Sequence, residues 1–123
     1  MIGYSFVDAL NAAGIPAAIW HGTDGFRASW FNNETRIVWG SKRQLSIGDI
    51  LLVPELGGSR YQSLMGAARV VMLNQNHFYT VDPGFSGSAI PNEYPGWPNA
   101  VACVATSEAI REFVCCLSPG LPV

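Results

Sequence analysis

The sequence predicts an α+β domain in which an N-terminal helix packs on a mostly antiparallel sheet and a second helix lies near the C-terminus. Residues 45–84 contain three apolar runs separated by turn-forming residues, which is the pattern of consecutive strands. Apolar residues recur at helical spacing in residues 5–13 and again after residue 107. Strands grouped in the middle of a chain with helices at its ends are typical of the α+β class.

The central strands are predicted at residues 47–54, 67–73 and 77–82. The first is a compact apolar run opened by a Gly-Asp turn, the second is rich in Val, and the third contains aromatic and β-branched residues. The connection at residues 74–76, Asn-Gln-Asn, is short enough for a hairpin, because Asn tolerates the left-handed backbone of tight loops. We therefore expect an antiparallel meander of three strands.

The N-terminal helix is predicted to cover residues 5–13 and to end at Gly14, where a left-handed C-terminal cap belongs. A short strand is expected at residues 17–20. Apolar residues alternate on either side of an Asn-Asn turn within residues 27–39, which predicts a second hairpin.

Two irregular segments and two further elements complete the prediction. Residues 55–66 contain a Gly-Gly-Ser tip and residues 83–98 contain four prolines, so both are expected to be loops. A strand is expected at residues 100–105. Thr106 or Ser107 is then expected to cap a final helix, which ends at Ser-Pro-Gly.

Length and charge limit the classes of function. With 123 residues, 49% of them hydrophobic, the chain is expected to form a single compact domain over residues 1–123. The net charge of -2 excludes nucleic-acid binding that depends on a basic surface. Neither a membrane span nor a signal peptide is expected, because the apolar runs are too short and no basic segment precedes one at the N-terminus.

The cysteines and histidines indicate neither disulfides nor a metal site. Cys103, Cys115 and Cys116 are odd in number and form no C-x-x-C pair, so they are expected to be small buried thiols in a reducing compartment, the cytoplasm. His21 and His77 have no acidic residue at helical spacing. We expect no metal and no cofactor.

Three stretches resemble the landmarks of NlpC-type cell-wall peptidases and the related CHAP amidases. The stretches FVDALNAAGI, LSIGDILLVPE and RVVMLNQNHFYTVDPG occur in the order and at the spacing of that family, and the resemblance covers residues 2–84. It implies a papain-like fold, in which an N-terminal helix carries a nucleophilic Cys and a later strand begins with the catalytic His. A third polar residue on the following strand orients that His.

Carried onto this sequence, the resemblance implies a domain without the Cys-His pair. The family's Cys falls at Gly3, Tyr4 or Ser5, its His falls at Arg69, and its orienting residue falls near Thr80. A guanidinium cannot accept the proton of a nucleophile. The implied function is non-catalytic binding of a peptide, such as a cell-wall peptide, or of a protein partner, with Arg69 suited to a carboxylate.

A divergent hydrolase is the enzymatic alternative. Ser5 is then the nucleophile, His77 the base and Asp82 the residue that orients the base. Each has a structural explanation as well: Ser5 as a helix N-cap, His77 as a solvent-facing strand residue and Asp82 as part of a turn.

The string Trp20-His21-Gly22-Thr23 resembles the His-Gly-Thr of ADP-ribosyltransferases, in which the His side chain holds the nicotinamide ribose of NAD. The resemblance implies a transferase in which His21 contacts NAD. That family's downstream catalytic Glu has no clear counterpart, because Glu93 lies in a Pro-rich segment. The structural alternative is a turn after a strand, with His21 partly exposed.

A third resemblance is to PUA-like ASCH and EVE domains, through RQLSIGDILLV and MGAARVV. It implies a pocket for a modified base or small molecule with an aromatic cage, for which Trp30, Trp39 and Tyr61 are candidates. An interaction protein that uses the aromatic residues of loop 85–97 is the remaining alternative.

These interpretations give two sets of candidate residues. The candidate catalytic residues are Ser5, His77 and Asp82. The candidate ligand-binding residues are Tyr4, His21, Arg69, Thr80 and Trp97.

Overall fold

The computed structural model describes residues 2–40, 45–55, 68–81, 94, 97 and 99–123. The chain divides into two compact units, Met1–Arg43 and Gln44–Val123. Helices and strands occur in both units, so the fold is an α+β mixture as predicted.

The first unit contains helix α1 (Ile2–Ala12), strand β1 (Ile19–His21) and strand β2 (Ile37–Trp39). The two strands pair in parallel, with Ile19 opposite Ile37 and His21 opposite Trp39. The predicted hairpin within residues 27–39 is wrong, because β2 is the only strand in that segment.

Side-chain hydrogen bonds explain why residues 27–36 do not form a strand. The Asn33 amide donates to the carbonyls of Ala28 and Phe31, and the Arg27 guanidinium donates to Asn33 Oδ1 and to the Thr35 carbonyl. These three carbonyls accept side-chain hydrogen bonds within an irregular loop. They do not pair with a neighbouring strand, because Asn side chains compete with backbone hydrogen bonding.

Helix α1 ends as predicted and begins earlier than predicted. Gly14 has a φ of 78°, the left-handed conformation that glycine adopts at no steric cost, and the Ile15 N–H bonds the Leu10 carbonyl at 2.9 Å. Because α1 begins at Ile2, Ser5 lies inside the helix. The interpretation of Ser5 as an N-cap is therefore wrong.

The second unit contains a three-stranded sheet and two helices. Its elements are β3 (Ile50–Pro54), β4 (Arg69–Asn74), α2 (His77–Thr80), β5 (Ala100–Ala105) and α3 (Glu108–Leu117). The strand order is β3-β4-β5, and both pairs are parallel, so the predicted antiparallel meander is wrong. Parallel neighbours need a crossover of a dozen or more residues, for which the segments predicted as loops are long enough.

The predicted hairpin turn at residues 74–76 is wrong, because these residues lead into a helix. Asn76 accepts a hydrogen bond from the Phe78 N–H at 3.0 Å and caps α2, so His77 begins a helix and not a strand. Asn is favoured both in tight turns and at helix N-caps, so the residue type does not separate the two structures.

The C-terminal elements agree with the prediction. Strand β5 has the predicted bounds, and the Ser107 hydroxyl caps α3 by accepting from the Ile110 N–H at 3.3 Å. Ile110 and Val114 of α3 are buried in the core of this unit. The other buried core residues are Val53, Val70, Met72, Tyr94, Trp97, Ala100, Cys103 and Leu121.

The thiols differ in burial. Cys103 is buried as expected, whereas Cys116 is exposed, which contradicts the expectation for that residue. In the described ranges, no helix is long and apolar enough to cross a membrane.

Candidate functional site

Two of the predicted ligand-binding residues meet in the first unit. The hydroxyl oxygen of Tyr4 lies 2.7 Å from Nε2 of His21, in a partly buried hydrogen bond. Tyr4 comes from the first turn of α1, and His21 is the last residue of β1. The bond therefore connects the start of the helix to the end of the strand, and the glycine-containing loop begins beside it.

Three more rings surround this pair, and we call the five side chains the aromatic cluster: Tyr4, His21, Phe26, Trp30 and Phe31. Phe26 meets His21 edge to face at a centroid distance of 4.6 Å, and Phe31 meets Tyr4 in the same way at 5.1 Å. Trp30 lies 6.3 Å from Phe26 and 6.2 Å from Phe31. These distances fall in the range in which aromatic pairs attract each other.

The aromatic cluster is open to solvent. Trp30 is 72% exposed and Phe26 is 38% exposed, in contrast to the aromatic residues Tyr94 and Trp97 in the core of the other unit. A shallow pocket of about 440 Å³ is lined by residues 27–33 and includes Trp30. Large rings at a surface that also forms a concavity are typical of binding sites rather than of core packing.

The imidazole of His21 is poised to be neutral. Partial burial lowers the pKa of His21 from its usual value, because desolvation disfavours the charged ring. A neutral imidazole has one donor and one acceptor nitrogen. Nε2 is bonded to Tyr4, and no hydrogen bond is formed at Nδ1 within the described part of the chain. A ring nitrogen without such a bond can form one with a ligand.

A second bond holds α1 in place. The hydroxyl of Thr35, which is buried, donates to Oδ2 of Asp8 at 2.8 Å. Asp8 follows Tyr4 by one helical turn, so both side chains lie on the same face of α1. Residues 8 and 35 are 27 positions apart, and no local pattern in the sequence singled out either of them.

Indole N–H groups fix the loops beside the aromatic cluster. Trp39 donates from Nε1 to the carbonyl of Phe26 at 2.7 Å, and Trp20 donates to the carbonyl of Gly40 at 2.8 Å. Of the aromatic cage candidates, Trp30 belongs to the aromatic cluster, Trp39 supports it, and Tyr61 lies outside the described residues.

The other predicted ligand-binding residues belong to the second unit. Arg69 is exposed at the start of β4. Thr80 and Trp97 are buried, Thr80 as an acceptor from the Asn74 amide and Trp97 within the hydrophobic core. Tyr4 and Arg69, which the NlpC resemblance assigns to one cleft, thus belong to different units.

The candidate catalytic residues are not assembled within one unit. Ser5 is exposed on α1, whereas His77 begins α2 and has its ring 5.8 Å from that of Phe113. Asp82 and Glu93 lie outside the described residues. The loop of the interaction-protein alternative, residues 85–97, is described only at Tyr94 and Trp97, both of which are buried.

The described ranges contain no group of three or more His, Cys, Asp or Glu side chains that could hold a metal ion. Comparisons of the chain with protein-family models, with curated proteins and with solved structures found no match. The geometry of the candidate site is therefore the basis for its chemistry.

Proposed function

We propose that this chain is a binding domain whose aromatic cluster holds a planar heteroaromatic ring, with the nicotinamide ring of NAD as the first candidate. The observation that supports the proposal is the hydrogen bond between Tyr4 and His21 among aromatic rings that are open to solvent. The bond orients the imidazole, and the exposed rings offer faces on which a flat ligand can stack.

The electrostatics of the aromatic cluster favour a cationic ring. Aromatic faces attract positive charge, and Trp is the strongest of them, so the exposed Trp30 is suited to a pyridinium. A protonated His21 would repel such a ring, but partial burial keeps the pKa of His21 low and the imidazole neutral. A neutral His21 can instead form a hydrogen bond with an amide or hydroxyl group of the ligand.

The choice of NAD draws on the sequence as well. His21 is followed directly by Gly22 and Thr23, which is the order in ADP-ribosyltransferases, and His21 is the last residue of β1. Binding is proposed rather than transfer, because no described acidic residue belongs to the aromatic cluster. Peptide binding, as the NlpC resemblance implies, stays a prediction.

Ligand titration tests the proposal. We expect NAD⁺ to quench tryptophan fluorescence, because Trp20, Trp30 and Trp39 all belong to the first unit. Nicotinamide mononucleotide should bind also, whereas ADP-ribose, which lacks the nicotinamide ring, should bind at least about tenfold more weakly, the equivalent of about 1.4 kcal/mol.

Two matched variants assign the binding to the aromatic cluster. His21→Ala should weaken the binding of NAD⁺ about tenfold or more, and His77→Ala, which alters the other histidine, should leave it unchanged. The proposal fails if no NAD⁺ binding is detected at millimolar concentration, if ADP-ribose binds as tightly as NAD⁺, or if both variants lose affinity equally. A peptide that binds and is released by Arg69→Ala would support the peptide-binding prediction instead.

A further inference from the structure

The second unit contains a buried carboxylate in which only one of the two oxygens accepts a hydrogen bond from a described residue. Glu55 follows β3 directly and is 5% exposed. Its Oε1 accepts a hydrogen bond from the Gln75 N–H at 3.1 Å. Its Oε2 is buried and has no hydrogen-bond partner among the residues that the structure describes. A buried carboxylate oxygen without a hydrogen bond destabilises a fold. Such an oxygen therefore suggests a functional role.

Glu55 lies at the carboxyl edge of the parallel sheet. Side chains alternate along a strand, so Glu55 shares a face with the core residue Val53, and Asn74 shares that face with Met72. The Glu55 N–H bonds the Leu73 carbonyl at 3.3 Å, which brings the ends of β3 and β4 together. In open α/β sheets, ligands bind outside the carboxyl ends of the strands.

The described polar groups near this position are neutral. Asn74 donates from Nδ2 to the hydroxyl of Tyr94 at 2.7 Å and to the hydroxyl of Thr80, and its Oδ1 accepts from the Asn76 N–H at 3.1 Å. Asn74 therefore has no donor left for Glu55. Burial, to which the charge of Glu55 adds, raises the pKa of Cys103 to about 12, so that thiol is neutral.

A ligand for Oε2 must donate a hydrogen bond and should carry positive charge. Among the described residues the only ion pair joins Arg111 to Glu108, so no described cation compensates Glu55. A metal ion would need more ligating side chains than the described ranges group together. We propose that Oε2 of Glu55 binds the ammonium group of a primary amine at the carboxyl edge of the sheet.

Methylammonium is the probe, and tetramethylammonium is its control because it carries the same charge without an N–H donor. The midpoint of thermal unfolding of the full chain is measured in each chloride at equal ionic strength. At a methylammonium concentration of about ten times Kd, we expect the midpoint to rise by about 3 to 6 °C relative to tetramethylammonium. The same measurement with Nα-acetyl-lysine amide distinguishes a free small amine from a lysine side chain as the source of the ammonium group.

Glu55→Gln locates the effect. The variant keeps the acceptor for the Gln75 N–H, removes the charge, and should abolish the methylammonium shift. Carbon-13 NMR of the wild-type carboxyl groups gives a second measurement that does not depend on the variant's folding, and the Glu55 resonance should move with methylammonium alone. The proposal is overturned if neither measurement responds up to 100 mM methylammonium (roughly the upper limit for specific binding), if both cations act equally, or if the shift persists in Glu55→Gln.

Discussion

The Tyr4 hydroxyl and Nε2 of His21 lie 2.7 Å apart, and this bond joins residues that are 17 positions apart in the sequence. Phe31 packs edge to face against Tyr4, and Phe26 packs in the same way against His21. The hydrogen bond and the two ring contacts together restrict the imidazole to one orientation. A preoriented ring gives a ligand a binding partner that loses little conformational freedom on binding.

Tyr4→Phe is expected to lower the stability of the first unit by about 0.5–1.5 kcal/mol, because it removes one hydrogen bond and keeps the ring. Urea unfolding followed by tryptophan fluorescence measures the change. Tyr79→Phe is the control, since Tyr79 is 46% exposed and belongs to the second unit. Equal effects of the two substitutions would mean that the hydroxyl of Tyr4 contributes no specific stability.

The pH dependence of stability follows from the lowered pKa of His21. As the pH falls below about 6.5, the unfolded chain binds a proton at His21 that the folded chain still excludes. Stability that depends on His21 is therefore complete above the unfolded pKa, falls as the pH drops through about 6.5, and levels off below the folded pKa.

His21→Gln measures this contribution, because Gln retains a polar group and does not titrate. The fluorescence-detected urea midpoint should fall more in the wild type than in His21→Gln between about pH 7.5 and about pH 5.5, a range that spans the ordinary pKa of a histidine side chain. If the wild type and His21→Gln lose stability in parallel, His21 is not the group responsible.

Local patterns predicted the parts of this fold that local interactions determine. Ser107 precedes an apolar helical stripe, and Gly14 follows one, so the end of α1 and the start of α3 could be read from the sequence. Strand direction could not be read in this way. An apolar run of five or six residues has the same pattern in a parallel or an antiparallel sheet, and only long-range pairing distinguishes them.

The candidate site was predicted in pieces. Tyr4 and His21 were each identified, but through different resemblances, and no local pattern indicates that they form a hydrogen bond. Thr35 and Glu55 were missed because a single polar residue in an irregular segment or after a strand does not reveal its burial. The hydrogen-bond partners of Thr35 and Glu55 can be identified only in the folded chain.

Thr35→Val tests the anchor of α1. The buried hydroxyl donates to the Asp8 carboxylate at 2.8 Å, and its replacement by a methyl group of similar size is expected to lower the stability by about 1–2 kcal/mol. The exposed Thr106 provides the control Thr106→Val, which should change stability by less than about 0.5 kcal/mol. A loss of helical circular dichroism before the main urea transition in Thr35→Val would show that α1 detaches first. An unchanged midpoint in Thr35→Val would contradict the assigned role of the bond.

Among the described residues of the second unit, Asn74 is expected to be the most sensitive polar position, because it is fully buried and forms hydrogen bonds with three partners. Asn74→Leu keeps the volume but removes one hydrogen-bond partner from each of two buried hydroxyls and from one N–H group, so stability should fall by about 2 kcal/mol or more. Asn99→Leu, at an exposed position, should have little effect. A double-mutant cycle with Tyr94→Phe isolates one bond, since the loss of the Tyr94 hydroxyl should cost less once Asn74 is replaced. We expect a coupling energy of about 1 kcal/mol in urea unfolding, and additive effects would show that the bond between Asn74 and Tyr94 does not stabilise the unit.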